Sequence, residues 1–231
     1  MTATDIRSMA VLRVNDRVEG APCELVEAIV RFEERYGGLW YPVIGANGME
    51  YGLDGDVVVH RSPLGLAFTG IVDGDWTWGV DVLADGRTAM GPGTWPYRVI
   101  DRSVDQRLES HALLVAVSGW FHRTFTCYTA REVVPVVDER RLPQRVPEAT
   151  GPTELWWLDE DAGVAVQAQL RAWPQDRDEW IIRYFTRTPT QAADANPVVF
   201  GATVHETVPA LWCTLCSRRV EPGRTCHPLH P

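Results

Sequence analysis

The chain has 231 residues, 45% of them hydrophobic, and a formal net charge of −9, which describes a globular protein long enough for one large or two small domains. The acidic balance argues against a nucleic-acid binder, because affinity for duplex DNA rests on neutralised phosphates. All 22 basic residues are arginine, which excludes a Schiff-base lysine, a P-loop lysine and a lysine general base.

The N-terminus and the hydropathy pattern bear on location. Residues 1–20 contain no basic segment followed by an apolar core, so they do not have the pattern of a secretory signal. No apolar run approaches the roughly 18 residues that a membrane helix requires. We therefore expect a cytoplasmic protein that makes no contact with a membrane.

The strongest helix signal lies in residues 24–42, ELVEAIVRFEERYGGLWYP. Its apolar residues recur at the three-to-four-residue spacing of one helical face: Leu25, Val26, Ile29, Phe32 and Tyr36. The Gly37-Gly38 pair predicts the positive-φ residue that ends such a helix. The following residues 39–41, Leu-Trp-Tyr, are predicted to form a large apolar plug.

The middle of the chain predicts short strands and a second helix. Residues 57–60 and 66–71 have the composition of strands, and residues 78–83 and 87–90 flank an Asp-Gly pair that is typical of a hairpin. A helix is then predicted from Ser103, with a capping-box pattern at its start, to about residue 119.

This order of elements resembles the SUKH superfamily, also called SMI1/KNR4-like proteins. The resemblance rests on FEERYGG at 32–38, on the hairpin and on SVDQRLESHALLVAVS at 103–118, and it covers about residues 15–125. It implies an α+β fold, a small antiparallel sheet with helices packed on one side. Many bacterial members are immunity proteins that bind and neutralise a cognate toxin, often a nuclease. The resemblance brings no catalytic residues with it.

Residues 131–152 contain four prolines and mixed charges without a sustained period, which is typical of a linker. Beyond them, residues 154–158, 163–170 and 179–187 predict a three-stranded antiparallel meander, whose alternating middle strand is expected to be half-buried. Residues 198–204 are a candidate final strand. We therefore expect four regions: an α+β domain at 1–130, the linker at 131–152, a β-rich meander region at 153–210 and a tail at 211–231.

The tail carries the most specific chemical signal of the chain. Its C-x2-C-x9-C-x3-H pattern offers four ligands of the kind that tetrahedral zinc prefers: Cys213, Cys216, Cys226 and His230. His227 is the alternative fourth ligand, although its adjacency to Cys226 makes simultaneous ligation harder. A closed site of four protein ligands would be structural. The alternatives are a structural disulfide, which would leave one of the three thiols unpaired, and a tail without metal.

Residues 72–81 place acidic residues beside two tryptophans. As a solvated turn, this stretch would use its tryptophans to anchor it to the core. As an interaction patch, it would use aromatic area for affinity and carboxylates to steer a basic partner. The residues predicted to bind the partner in that case are Asp73, Asp75, Trp76, Trp78 and Asp81.

These signals favour a non-enzymatic binding protein that neutralises a basic toxin domain by covering its active site. One alternative is a zinc-stabilised adaptor whose partner docks on the C-terminal half. The other is a hydrolase whose carboxylates and histidines converge only in three dimensions, with His60, His111 and His122 as the residues to follow.

Overall fold

The computed structural model describes most of the chain. The described residues are 1–15, 17–42, 50–73, 79–90, 97–171, 177–196, 200, 203–206, 211–213 and 218–220, with the backbone alone at 73, 171, 177 and beyond 200. Contacts divide the chain into an N-terminal unit, Met1–Val43 with Gly48–Val104, and a C-terminal unit, Ile44–Asn47 with Asp105–Pro231. The predicted α+β class is confirmed.

The described residues of the N-terminal unit begin with two helices that flank a pair of strands. The elements in chain order are α1 (Ala3–Met9), β1 (Val11–Val14), β2 (Arg17–Gly20), α2 (Cys23–Tyr36), β3 (Leu39–Pro42), β4 (Glu50–Leu53), β5 (Val58–Ser62), β6 (Gly65–Asp73), β7 (Gly79–Leu83), β8 (Thr88–Met90) and β9 (Arg98–Asp101). The predicted strands near 57–60 and 66–71 and the predicted Asp-Gly hairpin thus correspond to β5, β6 and β7–β8.

These strands form one sheet in the order β2-β1-β5-β6-β7-β8-β9, to which the β3–β4 hairpin is added through a pairing of β4 with β6. The sheet is larger than the small antiparallel sheet that we predicted, and it is mixed, because β1 pairs in parallel with β5. A parallel pair needs a long connection, which α2 and the β3–β4 hairpin provide here. Local sequence periodicity does not reveal which distant strands will pair.

Helix α2 is amphipathic as predicted and packs on this sheet. Its buried side chains are those of Leu25, Ile29, Val30 and Phe32. The Phe32 ring meets the Phe68 ring of β6 edge to face, with centroids 5.6 Å apart and planes at 82°. Next to Phe68, Gly70 lets the ring approach the strand, since a Cβ there would lie 3.0 Å from a Phe32 ring atom. The helix ends as predicted at a positive-φ glycine, Gly38, whose φ is 78°.

The predicted apolar plug after this helix was wrong. Leu39 and Trp40 are each 48% exposed, because they lie on β3 at the end of the sheet and not beneath a covering element among the described residues. Hydrophobicity alone indicated burial, whereas the position of the strand in the sheet decides how much of each side chain is covered.

From Val104 onward the described residues form a short helical segment and a second, antiparallel sheet. The elements are α3 (Val104–Ala116), β10 (Phe121–Ala130), a 3-10 turn (Glu139–Arg141), β11 (Gln144–Arg145), β12 (Glu154–Asp159), β13 (Val164–Arg171), β14 (Arg177–Thr186), α4 (Pro189–Ala193), β15 (Thr203–Glu206), β16 (Leu211–Cys213) and β17 (Arg218–Val220). Among the described residues, no helix is long and apolar enough to cross a membrane.

The predicted three-stranded meander is confirmed as β12-β13-β14, within a sheet of order β11-β12-β13-β14-β10-β15. Strand β10 was not predicted. It pairs with β14 over its whole length, from Phe121 opposite Thr186 to Ala130 opposite Arg177. Contacts divide the chain after Val104. The boundary that we predicted, at residue 130, would separate β10 from its partner strand. The paired residues lie 47 to 65 positions apart in the chain, and pairing over such a separation leaves no local trace in composition.

Both faces of this sheet are covered where β13 crosses it. On one face, a core forms around Phe125, Trp157, Val166 and Ile182. On the other face, Trp156, Ala165 and Phe185 form a core with Val117, and Leu113 and Leu114 of α3 pack against it. The prediction that β13 is half-buried was therefore wrong: its polar residue Gln167 is 0% exposed.

The close approach at Gly70 makes a testable packing prediction. We expect Gly70→Ala to lower the free energy of unfolding by about 1–3 kcal/mol, because overpacking forces side chains from their minima. The added Cβ would lie 2.6 Å from Val82 Cγ2 as well as close to Phe32. Urea unfolding measures the effect. The matched control is Gly20→Ala in β2, where a Cβ meets nothing within 4 Å; equal stability of the two variants would contradict the prediction.

Candidate functional site

Asp81, one of the predicted partner-binding residues, lies on β7 at the centre of a hydrogen-bonded cluster. Its Oδ2 atom accepts from Tyr97 OH at 2.6 Å and lies 3.0 Å from His60 Nε2, while Oδ1 accepts from Thr69 Oγ1 at 3.2 Å. The Asp81 side chain is only 14% exposed. Its carboxylate is thus occupied by donors of its own unit, which leaves little of it to steer a partner.

The electrostatics of this cluster are mutually reinforcing. Burial opposes ionisation of Asp81, but hydrogen bonds from His60, Tyr97 and Thr69 outweigh it, so the pKa of Asp81 is lowered. The same contact with Asp81 raises the pKa of His60 against the effect of burial. Burial, together with Asp81, raises the pKa of Tyr97. At neutral pH the cluster therefore contains an ionised Asp81 and a neutral Tyr97 that donates to it.

His60 is held here as a structural partner. Its Nε2 atom is engaged by Asp81, and the backbone of Val58 further favours the protonated ring. A general base needs a lone pair directed at a substrate proton. The neighbouring hydroxyl of Ser62 donates instead to the Gly65 carbonyl, at 2.8 Å. The His60–Asp81 contact therefore links β5 to β7 across β6, and this geometry favours a role in holding the sheet.

An aromatic surface lies on the β3–β4 hairpin, and we call it the hairpin surface: Leu39, Trp40, Tyr41, Glu50 and Tyr51. The Trp40 ring covers Gly52, where a Cβ would lie 2.7 Å from a ring atom. The rings of Tyr41 and Tyr51 lie 5.6 Å apart across the hairpin. Glu50 is exposed at the start of β4, opposite Pro42. Large aromatic area and an acidic side chain thus occur together on one edge hairpin.

The strand register links the hairpin surface to the predicted interaction patch. Tyr41 lies opposite Tyr51, and Tyr51 lies opposite Asp73 of β6, so the three residues form one row across the strands. The other predicted residues of the patch lie outside the described residues: Asp75, Trp76 and Trp78. The sequence predicts an aromatic and acidic patch but does not predict that Trp40 and Glu50 are exposed on a neighbouring hairpin. Their signal was a strand of large apolar residues directly after the helix-ending glycines.

The predicted zinc ligands fall at the edge of the described residues. β16 and β17 form an antiparallel hairpin in which Cys213 lies opposite Arg218. The remaining predicted ligands and the alternative lie outside the described residues: Cys216, Cys226, His230 and His227. Where the chain is described, no group of three or more candidate ligand side chains comes together. Cys213 is the last residue of β16, which is where a C-x2-C turn would begin. The zinc site stays a prediction.

A buried polar network that the sequence analysis missed lies in the C-terminal unit. The NH1 atom of Arg183 donates to Oε1 of Gln167 at 2.7 Å and to Oε1 of Gln169 at 3.0 Å. The side-chain amide of Gln167 in turn donates to the Glu154 carboxylate. Gln167 thereby links a cation to an anion in the interior. Burial lowers the pKa of Arg183, and the charge of Glu154 opposes this.

The same network fastens α3 to the sheet. Trp156 Nε1 donates to Glu154 Oε1 at 3.0 Å and to Ser110 Oγ of α3 at 2.9 Å. Ser110 is fully buried. The network has a sequence signal: polar residues at 154, 167, 169 and 183 alternate with apolar residues within the strands. Such alternation is ordinarily read as a solvent-facing side, and here that side is covered.

The two histidines of the C-terminal unit do not resemble general bases. Burial and then the charge of Arg183 lower the pKa of His122 to about 4. Burial and then the charge of Arg107 lower the pKa of His111 to about 3. An efficient base has a pKa near the working pH, and both values lie well below neutrality. The charges that act on these rings are arginines, so the hydrolase hypothesis gains no support from them.

Comparisons with known proteins found no relative of this chain. No family model matches it, and searches of curated proteins and of solved structures found no match. The SUKH resemblance therefore stays a prediction that rests on the residues quoted for it, and no activity or partner is transferred from another protein.

The His60–Asp81 pair makes a prediction about pH. The pKa of His60 is raised on folding, so its contribution to stability is complete below its unfolded pKa of about 6.5 and is lost as the pH rises through the folded pKa. We therefore expect the stability advantage of the wild type over His60→Gln to shrink between pH 5.5 and pH 9, measured by urea unfolding.

His122 serves as the control of opposite sign, because its lowered pKa stabilises the folded state above about pH 6.5 and this contribution is lost as the pH falls towards 4. The advantage of the wild type over His122→Gln should not shrink between pH 7 and pH 9. If the free energies of unfolding of the wild type and His60→Gln differ by the same amount from pH 5.5 to pH 9, the assignment for His60 is contradicted.

The Glu154 network predicts a large effect of a small change. Glu154→Gln removes the only charge of this network that offsets Arg183 among the described residues, and we expect unfolding to become easier by about 3 kcal/mol. The matched control is Glu160→Gln in an exposed turn, which we expect to change stability by less than about 0.5 kcal/mol. Comparable effects of the two substitutions in denaturant unfolding would show that the network carries no charge compensation.

Proposed function

We propose that this chain is a non-enzymatic binding protein whose N-terminal unit recognises a basic protein partner through the hairpin surface. The partner that fits the SUKH resemblance is a toxin domain, neutralised when its active site is covered. One observation carries the proposal: Leu39 and Trp40 are each 48% exposed on a strand at the end of the sheet.

The exposure of these two side chains supports a contact surface because of their size and their neighbours. Single exposed apolar residues are normal on any protein. Here Trp40 shares one face of the hairpin with Glu50, and Leu39 shares the other face with the Tyr41–Tyr51 pair, so large side chains flank the edge of β3 on both faces. Tryptophan and tyrosine dominate the energetic centres of protein interfaces. Among the described residues, β3 has a ladder with β4 alone, so its outer edge is open to a partner.

The charge of the N-terminal unit supports a basic partner. Residues 1–104 contain fifteen acidic residues and nine arginines, so the unit carries most of the net negative charge. On and next to the hairpin surface, the side chains of Glu50, Asp54 and Asp56 are exposed. Complementary charge of this kind speeds encounter and orients the partner, while the aromatic area supplies affinity.

The proposed zinc tail would act on stability and not on recognition by the N-terminal unit. Four protein ligands at Cys213, Cys216, Cys226 and His230 would leave zinc without an open coordination position, as in structural sites. When bound, the metal would cross-link the tail. Deleting residues 211–231 should therefore remove zinc from the purified protein and leave binding at the hairpin surface unchanged. Loss of binding on that deletion would favour the adaptor hypothesis.

The test uses candidate basic toxin domains, each co-expressed with the chain and then titrated against it by calorimetry. We expect Trp40→Ala to raise Kd by at least about 30-fold, because truncating a central aromatic residue typically costs 2 kcal/mol or more. We expect Glu50→Arg to raise Kd by about tenfold at low salt and by less at high salt, since exposed charges are screened. Both variants should weaken rescue of growth.

The matched control is Val18→Ala, which truncates another exposed apolar side chain, 63% exposed, on β2 at the other end of the sheet. It should leave Kd unchanged. Tight binding that is unchanged by Trp40→Ala and Glu50→Arg would place the interface elsewhere. The absence of both binding heat and growth rescue would contradict the toxin-binding function.

A further inference from the structure

Strand β2 lies at one end of the sheet of the N-terminal unit and is exposed along its whole length. Among the described residues, it pairs with β1 alone, in a regular ladder from Val11 opposite Gly20 to Val14 opposite Arg17. The Val18 side chain, which is 63% exposed, lies in the middle of this strand. An open edge of this kind can pair with a strand of another chain.

The backbone groups of Val18 point away from β1. Ala21 N donates to Ala10 O at 3.4 Å, which continues the ladder between β1 and β2 by one pair. Hydrogen-bonded and non-bonded pairs alternate along an antiparallel ladder, so Glu19 is bonded to Leu12, whereas Val18 is not bonded across this ladder. The N–H and C=O of Val18 therefore face outward and can bond to a second strand.

The side chains of β2 complement those of a second copy in one antiparallel register. Side chains alternate along a strand, so Arg17 and Glu19 lie on one face and Val18 lies on the other. If Val18 lies opposite Val18 of the second copy, Arg17 of each copy lies opposite Glu19 of the other. A shift by two residues, which again brings outward-facing backbone groups together, places Glu19 opposite Glu19 or Arg17 opposite Arg17. Opposite charges stabilise such a pair and like charges destabilise it, so charge selects one register.

We propose that two copies of this chain pair antiparallel through β2, about a two-fold axis at Val18, so that their two sheets become continuous. An interface about a two-fold axis is isologous, so each favourable contact occurs twice. The two Val18 residues exchange backbone hydrogen bonds and bring their side chains together, and two Arg17–Glu19 pairs flank them. β2 is at the other end of the sheet from the hairpin surface, so this dimer leaves that surface open.

The length of the strand sets the expected affinity. Two strands of 4 residues bury less surface than the roughly 1,200 Å² of a standard interface, so we expect a weak dimer, with a Kd of about 10 μM to about 1 mM. Analytical ultracentrifugation of the full-length protein over this concentration range measures the Kd. Because the Arg17–Glu19 pairs are exposed, the Kd should rise as salt is added.

Charge reversal tests the register. Arg17→Glu and Glu19→Arg should each raise the Kd of self-association at least about tenfold, because each places like charges opposite one another on both sides of the axis. Arg17→Glu with Glu19→Arg should restore the Kd of the wild type, since opposite charges then face each other again. Because the chain has a net charge of −9, general repulsion between copies would make Glu19→Arg strengthen the dimer, whereas the proposed register requires it to weaken the dimer.

Val18→Pro tests the backbone contact. The N–H that it removes faces outward, so the ladder with β1 keeps its hydrogen bonds, and proline is tolerated in edge strands at such positions. We expect this variant to stay monomeric up to about 1 mM. Its fold is checked by circular dichroism, and the charge-reversal variants test the dimer independently of it.

The matched control is Arg61→Glu, which reverses another exposed arginine of the same unit, on β5. It should leave the Kd of self-association unchanged. A wild type that stays monomeric up to about 1 mM, a single reversal in β2 that leaves the Kd unchanged, or a double reversal that does not restore it would each overturn the proposal.

Discussion

The packing of Phe32 against β6 is the contact on which the N-terminal unit depends. The ring meets Phe68 edge to face and reaches the strand at Gly70, where no side chain stands in its way. This contact fixes the position of α2 on the sheet. Once α2 is fixed, its last turn leads the chain into β3. The proposed protein-binding surface therefore begins at the end of this helix.

The C-terminal unit solves a different problem, which is how to bury charge. Gln167 stands between Arg183 and Glu154: its side-chain carbonyl accepts from the cation, and its side-chain amide donates to the anion. A neutral amide in this position satisfies both charges at once and spares the interior an unpaired group. Trp156 extends the arrangement to Ser110, so that α3 is held by hydrogen bonds as well as by apolar packing.

The histidines show how local charge sets opposite behaviour in one chain. Asp81 beside His60 favours the imidazolium, whereas Arg183 near His122 and Arg107 near His111 favour the neutral ring. The described surroundings engage Nε2 of His60 and favour the neutral ring at His111 and His122, which suits structural roles for the three rings.

The sequence by itself determined the local elements of this protein. The spacing from Leu25 to Phe32 predicted α2, the Asp85-Gly86 pair predicted the β7–β8 hairpin, and alternation predicted β12-β13-β14, because these signals lie within a few residues of one another. Only the tertiary structure decided that β1 pairs in parallel with β5, that β10 joins β14, that Trp40 is exposed and that Gln167 is buried. Each of these depends on which distant segment covers a strand. Alternation in one strand states that its two faces differ, and the fold decides what lies against each of them.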